Sequence, residues 1–281
     1  MLITTSYPKL SLKTTLLVFG TFNPIHLGHL GMVKATLQSY PHFKDVLWIP
    51  TGEPPHKTPE TYSLSPEAHR WRFPARDRLR MVALALQDTL SHPCHPHVKH
   101  LPFSFYSDKV KHWIWTQECP QDLTTFPGPH YTARTLQTWY AHLPTSEMFQ
   151  CLFSHEAMLG LPRWQQLEWL LEHVTWYVTP RQGYGAWSLN AESTCYHTLC
   201  ESLQKTSCSI TPPRFETQRV LVTPEHIPPW SATAIREALF STGYPSASAS
   251  TIETYQAPWT RMTTPSVVAY IMRNAFRYPL L

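Results

Sequence analysis

Short apolar runs that alternate with helix-period segments constrain this chain more than any other feature. Residues 15–19, 46–49, 149–153, 174–178 and 220–222 are apolar at nearly every position, so a strand built from any of them asks for cover on both faces. Between and beyond them the spacing predicts helices. One starts at about His26, with Leu30, Val33 and Leu37 on one side. Residues 75–87 place Leu79, Val82, Ala83 and Leu86 together, and residues 131–143 do the same with Leu136, Trp139, Tyr140 and Leu143. Further helices are expected over 163–172, 231–240 and 265–276. Strand followed by helix, repeated along the chain, implies an α/β fold: a doubly wound, Rossmann-like parallel sheet covered on both sides, with C-terminal helices closing the site. Ligands of such sheets sit beyond the carboxyl ends of the strands, so functional residues should follow strands directly.

The chain is 281 residues long and 42% hydrophobic, enough for a single domain over 1–281 with a substantial core. Residues 58–74, 88–129 and 183–219 are rich in Pro, Ser, Thr and His and read as loops, the last two as loop-rich insertions. With 27 Pro against 9 Gly, the connections should be stiff. The formal charge of +4 suits anionic substrates and equally suits an ordinary basic surface. Lys and Arg form no block resembling a nucleic-acid arm, so no nucleic-acid partner is expected. No apolar run of membrane-spanning length and no secretory leader pattern stands out, so the expectation is a cytoplasmic protein, no membrane partner, and six reduced cysteines. The sequence does not reveal the oligomeric state.

The strongest chemical signal is Gly20-Thr21-Phe22-Asn23-Pro24-Ile25-His26-Leu27-Gly28-His29, directly after the first apolar run and at the start of a helix. Gly20 permits a sharp turn and close approach to a phosphate, and Pro24 stiffens the loop. His26 and His29, three apart, share one face at the helix start, and Gly28 keeps that face open. With the free amides and dipole of a helix N-terminus, two imidazoles make a cradle for a phosphate in transfer. Near the other end, Ser231-Ala232-Thr233-Ala234-Ile235-Arg236 reads as a capped helix in which Ser231 and Thr233 hold phosphate oxygens and Arg236 clamps phosphates. Lys57 follows Pro54-Pro55-His56 on a strand-end loop and is expected to reach phosphate. His92, Cys94, His95, His97 and His100 match no zinc-ligand spacing, and no metal site is assigned there.

These segments together resemble the nucleotidyltransferases that carry a His-x-Gly-His motif, and among them the bacterial nicotinate-mononucleotide adenylyltransferases. His26–His29 match that motif. Ile49-Pro50 with Pro54-Pro55-His56-Lys57 is similar to the family's second phosphate-contacting segment, and Arg78-Leu79-Arg80-Met81 to the helix after it. Tyr131-Thr132-Ala133-Arg134-Thr135-Leu136 resembles the helix start beside the nicotinate site, and Trp164 falls where the family keeps a tryptophan near the pyridine ring. Ser231–Arg236 resembles the closing motif.

The resemblance implies adenylyl transfer from ATP to nicotinate mononucleotide, giving deamido-NAD and pyrophosphate in NAD biosynthesis. His29, His26 and Arg236 would be catalytic. Gly20, Thr21, Phe22, Lys57, Glu156, Ser231 and Thr233 would bind ATP and its phosphates, and Tyr131, Thr132 and Trp164 would bind the acceptor. Mg²⁺ would be carried by ATP. Two departures stand out. Phe19-Gly20 replaces a pair of glycines, and Ser154-His155-Glu156 replaces a Gly-x-Asp whose carboxylate holds the ATP ribose. The alternatives are an adenylyltransferase for nicotinamide mononucleotide or another phosphorylated acceptor such as phosphopantetheine, and a non-catalytic nucleotide-binding regulator of the same fold.

Overall fold

A computed structural model describes residues 2–4, 11–52, 73–90, 110–116, 130–142, 147–154, 157–158, 160–179, 220–222, 227, 230–241 and 257–274. Lys57, Glu156 and the His92–His100 segment lie outside these residues, as do all the cysteines except Cys151.

Among the described residues seven strands form one sheet: β1 (Leu2–Thr4), β2 (Thr15–Gly20), β3 (Asp45–Pro50), β4 (Lys111–Trp115), β5 (Phe149–Ser154), β6 (Val174–Thr179) and β7 (Val220–Val222). Their order is β1-β4-β3-β2-β5-β6-β7, and every neighbouring pair is parallel. The chain winds from β2 outward through β3 to β4, then returns to the other side of β2 to begin β5. The direction of winding therefore reverses between β2 and β5, and in open parallel sheets ligands bind at that reversal.

Among the described residues six α-helices cover the two faces. On the first, α1 (Leu27–Ser39), α2 (Ala75–Leu90), α5 (Ala232–Ser241) and α6 (Pro265–Asn274) pack on Leu16, Val18, Val46, Trp48 and Leu152. On the second, α3 (Thr132–Tyr140) and α4 (Leu167–His173) pack on Leu17, Leu47, Ile49, Cys151, Phe153 and Trp176. Alternate residues of each central strand thus enter different cores, which is why these strands are apolar throughout. Burial pushes the Cys151 thiol up from its ordinary value, marking it as a packing residue. Two side-chain links fasten α6 to α2. Asp88 accepts from the Ser266 amide at 2.8 Å and hydroxyl at 2.6 Å, and Tyr270 donates to Asp77 at 2.7 Å. Among the described residues no helix is long and apolar enough to cross a membrane.

The doubly wound parallel sheet agrees with the sequence reading, but four elements depart from it. Strand β4 lies within the stretch 88–129 that reads as loop, and α2 continues to Leu90. The sequence Lys111-His112-Trp113-Ile114-Trp115 hides a strand because its buried positions include a histidine. His112 is 2% exposed and accepts at Nδ1 from Trp48 Nε1 at 3.2 Å, while Trp113 Nε1 donates to Asp45 at 2.9 Å. Strand β1 was not foreseen at all. The helix expected over 163–172 is broken: a 3₁₀ turn spans Leu161–Arg163, Trp164 is extended, Gln166 is left-handed (φ 55°), and α4 begins only at Leu167.

Candidate active site

Strand β2 ends at Gly20, beside the winding reversal, and runs through a tight loop into α1. The loop is shaped by its own aromatic residue. Phe22, with φ 48° and 1% exposure, turns its ring back over Gly20 and packs on Trp48. A Cβ on Gly20 would sit 2.7 Å from that ring. Gly20 is therefore required by the Phe22 ring, not only by the phosphate approach expected of it. The Phe22 side chain is core, so any binding role left to Phe22 is confined to its main chain.

Both histidines of the motif close the start of α1. His26 Nδ1 accepts from the Gly28 amide at 3.1 Å, and His29 Nδ1 accepts from the His26 amide at 3.3 Å. A ring nitrogen that accepts carries no proton, so the neutral rings carry theirs on Nε2. The ring centroids lie 3.8 Å apart, and Phe22 meets His29 edge-on at 5.0 Å. His26 is buried and His29 half-buried. Between them, a Cβ on Gly28 would stand 2.8 Å from the His26 ring and 3.2 Å from the Trp230 carbonyl, so this position excludes side chains.

The amides of the first turn are not the free donors that the sequence suggests. Leu27 donates to the Met262 carbonyl at 2.8 Å, Gly28 to His26 Nδ1, and His29 to the His26 carbonyl at 3.0 Å. The electrostatic feature of this helix start is the positive end of its dipole, beside the two imidazole rings.

The segment before α6 also fixes the loop, since Thr263 Oγ1 donates to the Ile25 carbonyl at 2.8 Å. From the other side comes α5. Ser231 Oγ accepts from the Ala234 amide at 2.9 Å, the cap that the sequence predicts. Arg236 donates from Nη1 to the Asn23 carbonyl at 2.6 Å and from Nη2 to Thr233 Oγ1 at 3.1 Å. Thr233 here orients Arg236, and Arg236 rests on the loop. Gly20, Thr21, Phe22, His26, His29, Ser231, Thr233 and Arg236 are thus brought together where β2, α1 and α5 meet.

Arg78 is a residue whose role sequence reasoning missed. Fully buried on α2, it donates to main-chain carbonyls on three sides: Nε to Phe73 at 3.0 Å, Nη1 to Thr21 at 2.7 Å and Thr51 at 2.5 Å, and Nη2 to Gly52 at 2.5 Å. One guanidinium therefore ties the loop after β2 to the chain leaving β3. Asn23 adds a second tie, its Oδ1 accepting from the Phe73 amide at 2.9 Å. A signal was available: Arg78 stands at i with Met81, Val82 and Ala85 at i+3, i+4 and i+7, so it occupies a core-facing position.

The three residues expected at an acceptor site lie on the second face. Tyr131 is the N-cap residue of α3 and Thr132 its first residue, and both are half-buried. As a crossover helix between parallel strands, α3 starts at the carboxyl edge of the sheet. Trp164, half-buried in the connection from β5 to α4, sits edge-on to Phe153 at 5.3 Å and 6.2 Å from Trp176.

Comparison with known proteins agrees with this architecture. A family model described as cytidylyltransferase-like matches residues 17–238. A probable nicotinate-nucleotide adenylyltransferase of Synechococcus sp. (strain JA-3-3Ab) is 32% identical over 162 residues, 58% of this chain and 60% of that relative. One from Dehalococcoides mccartyi (strain CBDB1) is 30% identical over 173 residues, 62% of this chain and 67% of the relative. The chain thus spans less than two thirds of the length of the first of these relatives. The nicotinic acid mononucleotide adenylyltransferase of Plasmodium falciparum, solved in complex with NaAD, superposes with a TM-score of 0.53 at 14% identity, covering 95% of this chain and 98% of that one, which is a likeness of fold. The family match spans the whole region from β2 to α5 in which the histidine loop, Arg78 and Arg236 converge, and the chain is a member of the cytidylyltransferase-like family.

Proposed function

We propose that this chain transfers the adenylyl group of MgATP to nicotinate mononucleotide, releasing pyrophosphate and deamido-NAD, and that it does so as a cytoplasmic enzyme. The observation that carries this reading is the pair of imidazoles at the start of α1. Both Nδ1 atoms accept from main-chain amides, so both rings carry their proton on Nε2, side by side next to the winding reversal. Two fixed N–H donors at a helix N-terminus suit an α-phosphate on which charge builds in the transition state. The names of the relatives point to the same reaction.

An oxygen of the acceptor's phosphate attacks the α-phosphorus of ATP in line. The bond from that phosphorus to the bridging oxygen breaks, and pyrophosphate leaves with the electron pair. No covalent enzyme intermediate is required, so catalysis reduces to positioning and charge stabilisation. His29, the more exposed imidazole, donates to the α-phosphate with His26 behind it. Arg236, held by Asn23 and Thr233, borders the triphosphate. These donors are N–H groups suited to phosphate oxygens, and the divalent ion arrives with the triphosphate as part of the substrate. Lys57 adds a phosphate contact and Glu156 holds the ATP ribose. The acceptor lies along the start of α3, with Tyr131, Thr132 and Trp164, where the helix dipole favours the nicotinate carboxylate over the neutral amide.

The test is pyrophosphate release from MgATP with nicotinate mononucleotide, nicotinamide mononucleotide and phosphopantetheine in parallel. The expected result is turnover of the two mononucleotides, with higher kcat/KM for the acid. Turnover of phosphopantetheine alone would move the chain to a different acceptor class. Nucleotide binding without pyrophosphate release would identify a regulator.

A further inference from the structure

Phe19 is the residue of the motif region that the reaction above leaves unused. Along β2 the side chains alternate between the cores, Leu16 and Val18 in the first, Leu17 and Phe19 in the second. Phe19 therefore leaves the strand on the face opposite the histidines, one residue before the phosphate loop and beside the winding reversal. Its ring lies parallel to that of Phe153 on the adjacent β5, with centroids 6.4 Å apart and planes within 7°. Phe153 is buried, sits 5.0 Å from Trp176, and carries Trp164 edge-on at 5.3 Å. The two buried rings, Phe153 and Trp176, are thus flanked by two half-buried ones, Phe19 and Trp164. The start of α3 lies on the same face and at the same edge of the sheet.

We propose that Phe19 is a specificity-determining residue: with Trp164 it provides an aromatic lining that selects a phosphate acceptor bearing a flat, electron-poor heteroaromatic ring. The inference rests on the adenylyl-transfer reading and narrows its acceptor. An aromatic face attracts a cationic ring more strongly than a neutral or aliphatic group of the same size, because its quadrupole is negative above the plane. A pyridinium mononucleotide carries such a ring, and a pantetheine chain does not. Phe19 is also placed to sense the acceptor separately from ATP, because the phosphate-binding groups of α1 and α5 cover the first face and Phe19 belongs to the second.

The experiment compares Phe19→Leu, which keeps apolar volume and removes the π-face, with Phe19→Tyr, which keeps the ring. KM for nicotinate mononucleotide, KM for MgATP and kcat are measured for both variants and the parent. Phe19→Leu should raise the acceptor KM about tenfold, with the ATP KM held within about twofold. Phe19→Tyr should stay within about threefold of the parent in every constant. If Phe19→Leu does not fold, Phe19→Met makes the same comparison. An acceptor KM unchanged in the leucine variant, or an ATP KM that rises equally, overturns the proposal while the adenylyl-transfer reading stands. A parent protein that turns over no pyridine mononucleotide overturns both.

Discussion

Replacing His112 by a side chain that does not titrate should flatten the acid limb of this protein's stability curve. His112 lies in β4 at 2% exposure, and burial pushes its pKa down from 6.5 to about 3. The folded state therefore binds a proton on His112 less readily than the unfolded chain does. The stability this group contributes is complete above about pH 6.5 and is lost as pH falls from there toward about 3. Integrating the linkage between those two values puts the loss from this one group at about 2 kcal/mol by pH 5 and about 3 kcal/mol by pH 4. His112→Asn keeps an acceptor near the Trp48 indole and removes the titration. It should cost some stability at every pH, through lost packing, but lose less on acidification. Urea unfolding at pH 8, 6, 5 and 4.5, followed by far-UV circular dichroism, reads the two curves. The remaining histidines are common to both proteins and cancel in the difference. Curves that fall in parallel, with the gap between them constant to within about 0.5 kcal/mol, would refute the buried neutral imidazole and its depressed pKa.

His29→Ala should lower kcat on the order of a hundred- to a thousandfold with a smaller change in KM, measured as pyrophosphate release; a kcat within about threefold of the parent would remove the imidazole from the transition state. Arg78→Met should destabilise the fold by about 3 kcal/mol or more in urea, because it removes the guanidinium that bonds the Phe73 and Gly52 carbonyls in buried surroundings and the Thr21 and Thr51 carbonyls in half-buried ones. A loss under about 1 kcal/mol would show that these loops hold themselves in place.

What the sequence disclosed and what it concealed divide along physical lines. The turn from β2 into α1 was legible because its signals are local: an apolar strand, a glycine, and two histidines three apart at a helix start all fall within ten or so positions. Ser231 as a cap was legible for the same reason. The faces of α2 were not. Periodicity through Leu79, Val82, Ala83 and Leu86 favours a face turned from the one that the structure buries, through Arg78, Met81, Val82, Ala85 and Leu86. An arginine counts against burial in any hydrophobic pattern, and the reason it is buried lies in carbonyls 57 and 27 residues away. Strand β4 was concealed likewise, because a histidine bonded through Nδ1 to a tryptophan 64 residues earlier looks like loop composition. The helix break at Trp164 follows from an indole that packs on Phe153 and Trp176, neither of them near it in sequence. The free amides expected at α1 were claimed by Met262 and by the histidines themselves. In each case the deciding partner is distant along the chain or is main chain, so even where the local pattern marks a core-facing position, as at Arg78, it does not name the partner.

The histidine loop is synthesised well before the residues that finish it. The donor to the Asn23 carbonyl lies 213 residues further along the chain and the donor to the Ile25 carbonyl 238 residues further along. While the nascent chain ends anywhere before α5, those two carbonyls lack the native donors that hold them in the finished protein. A growing or prematurely released chain therefore carries the motif without its complete geometry, and the loop can take its final form only once synthesis has passed Thr263.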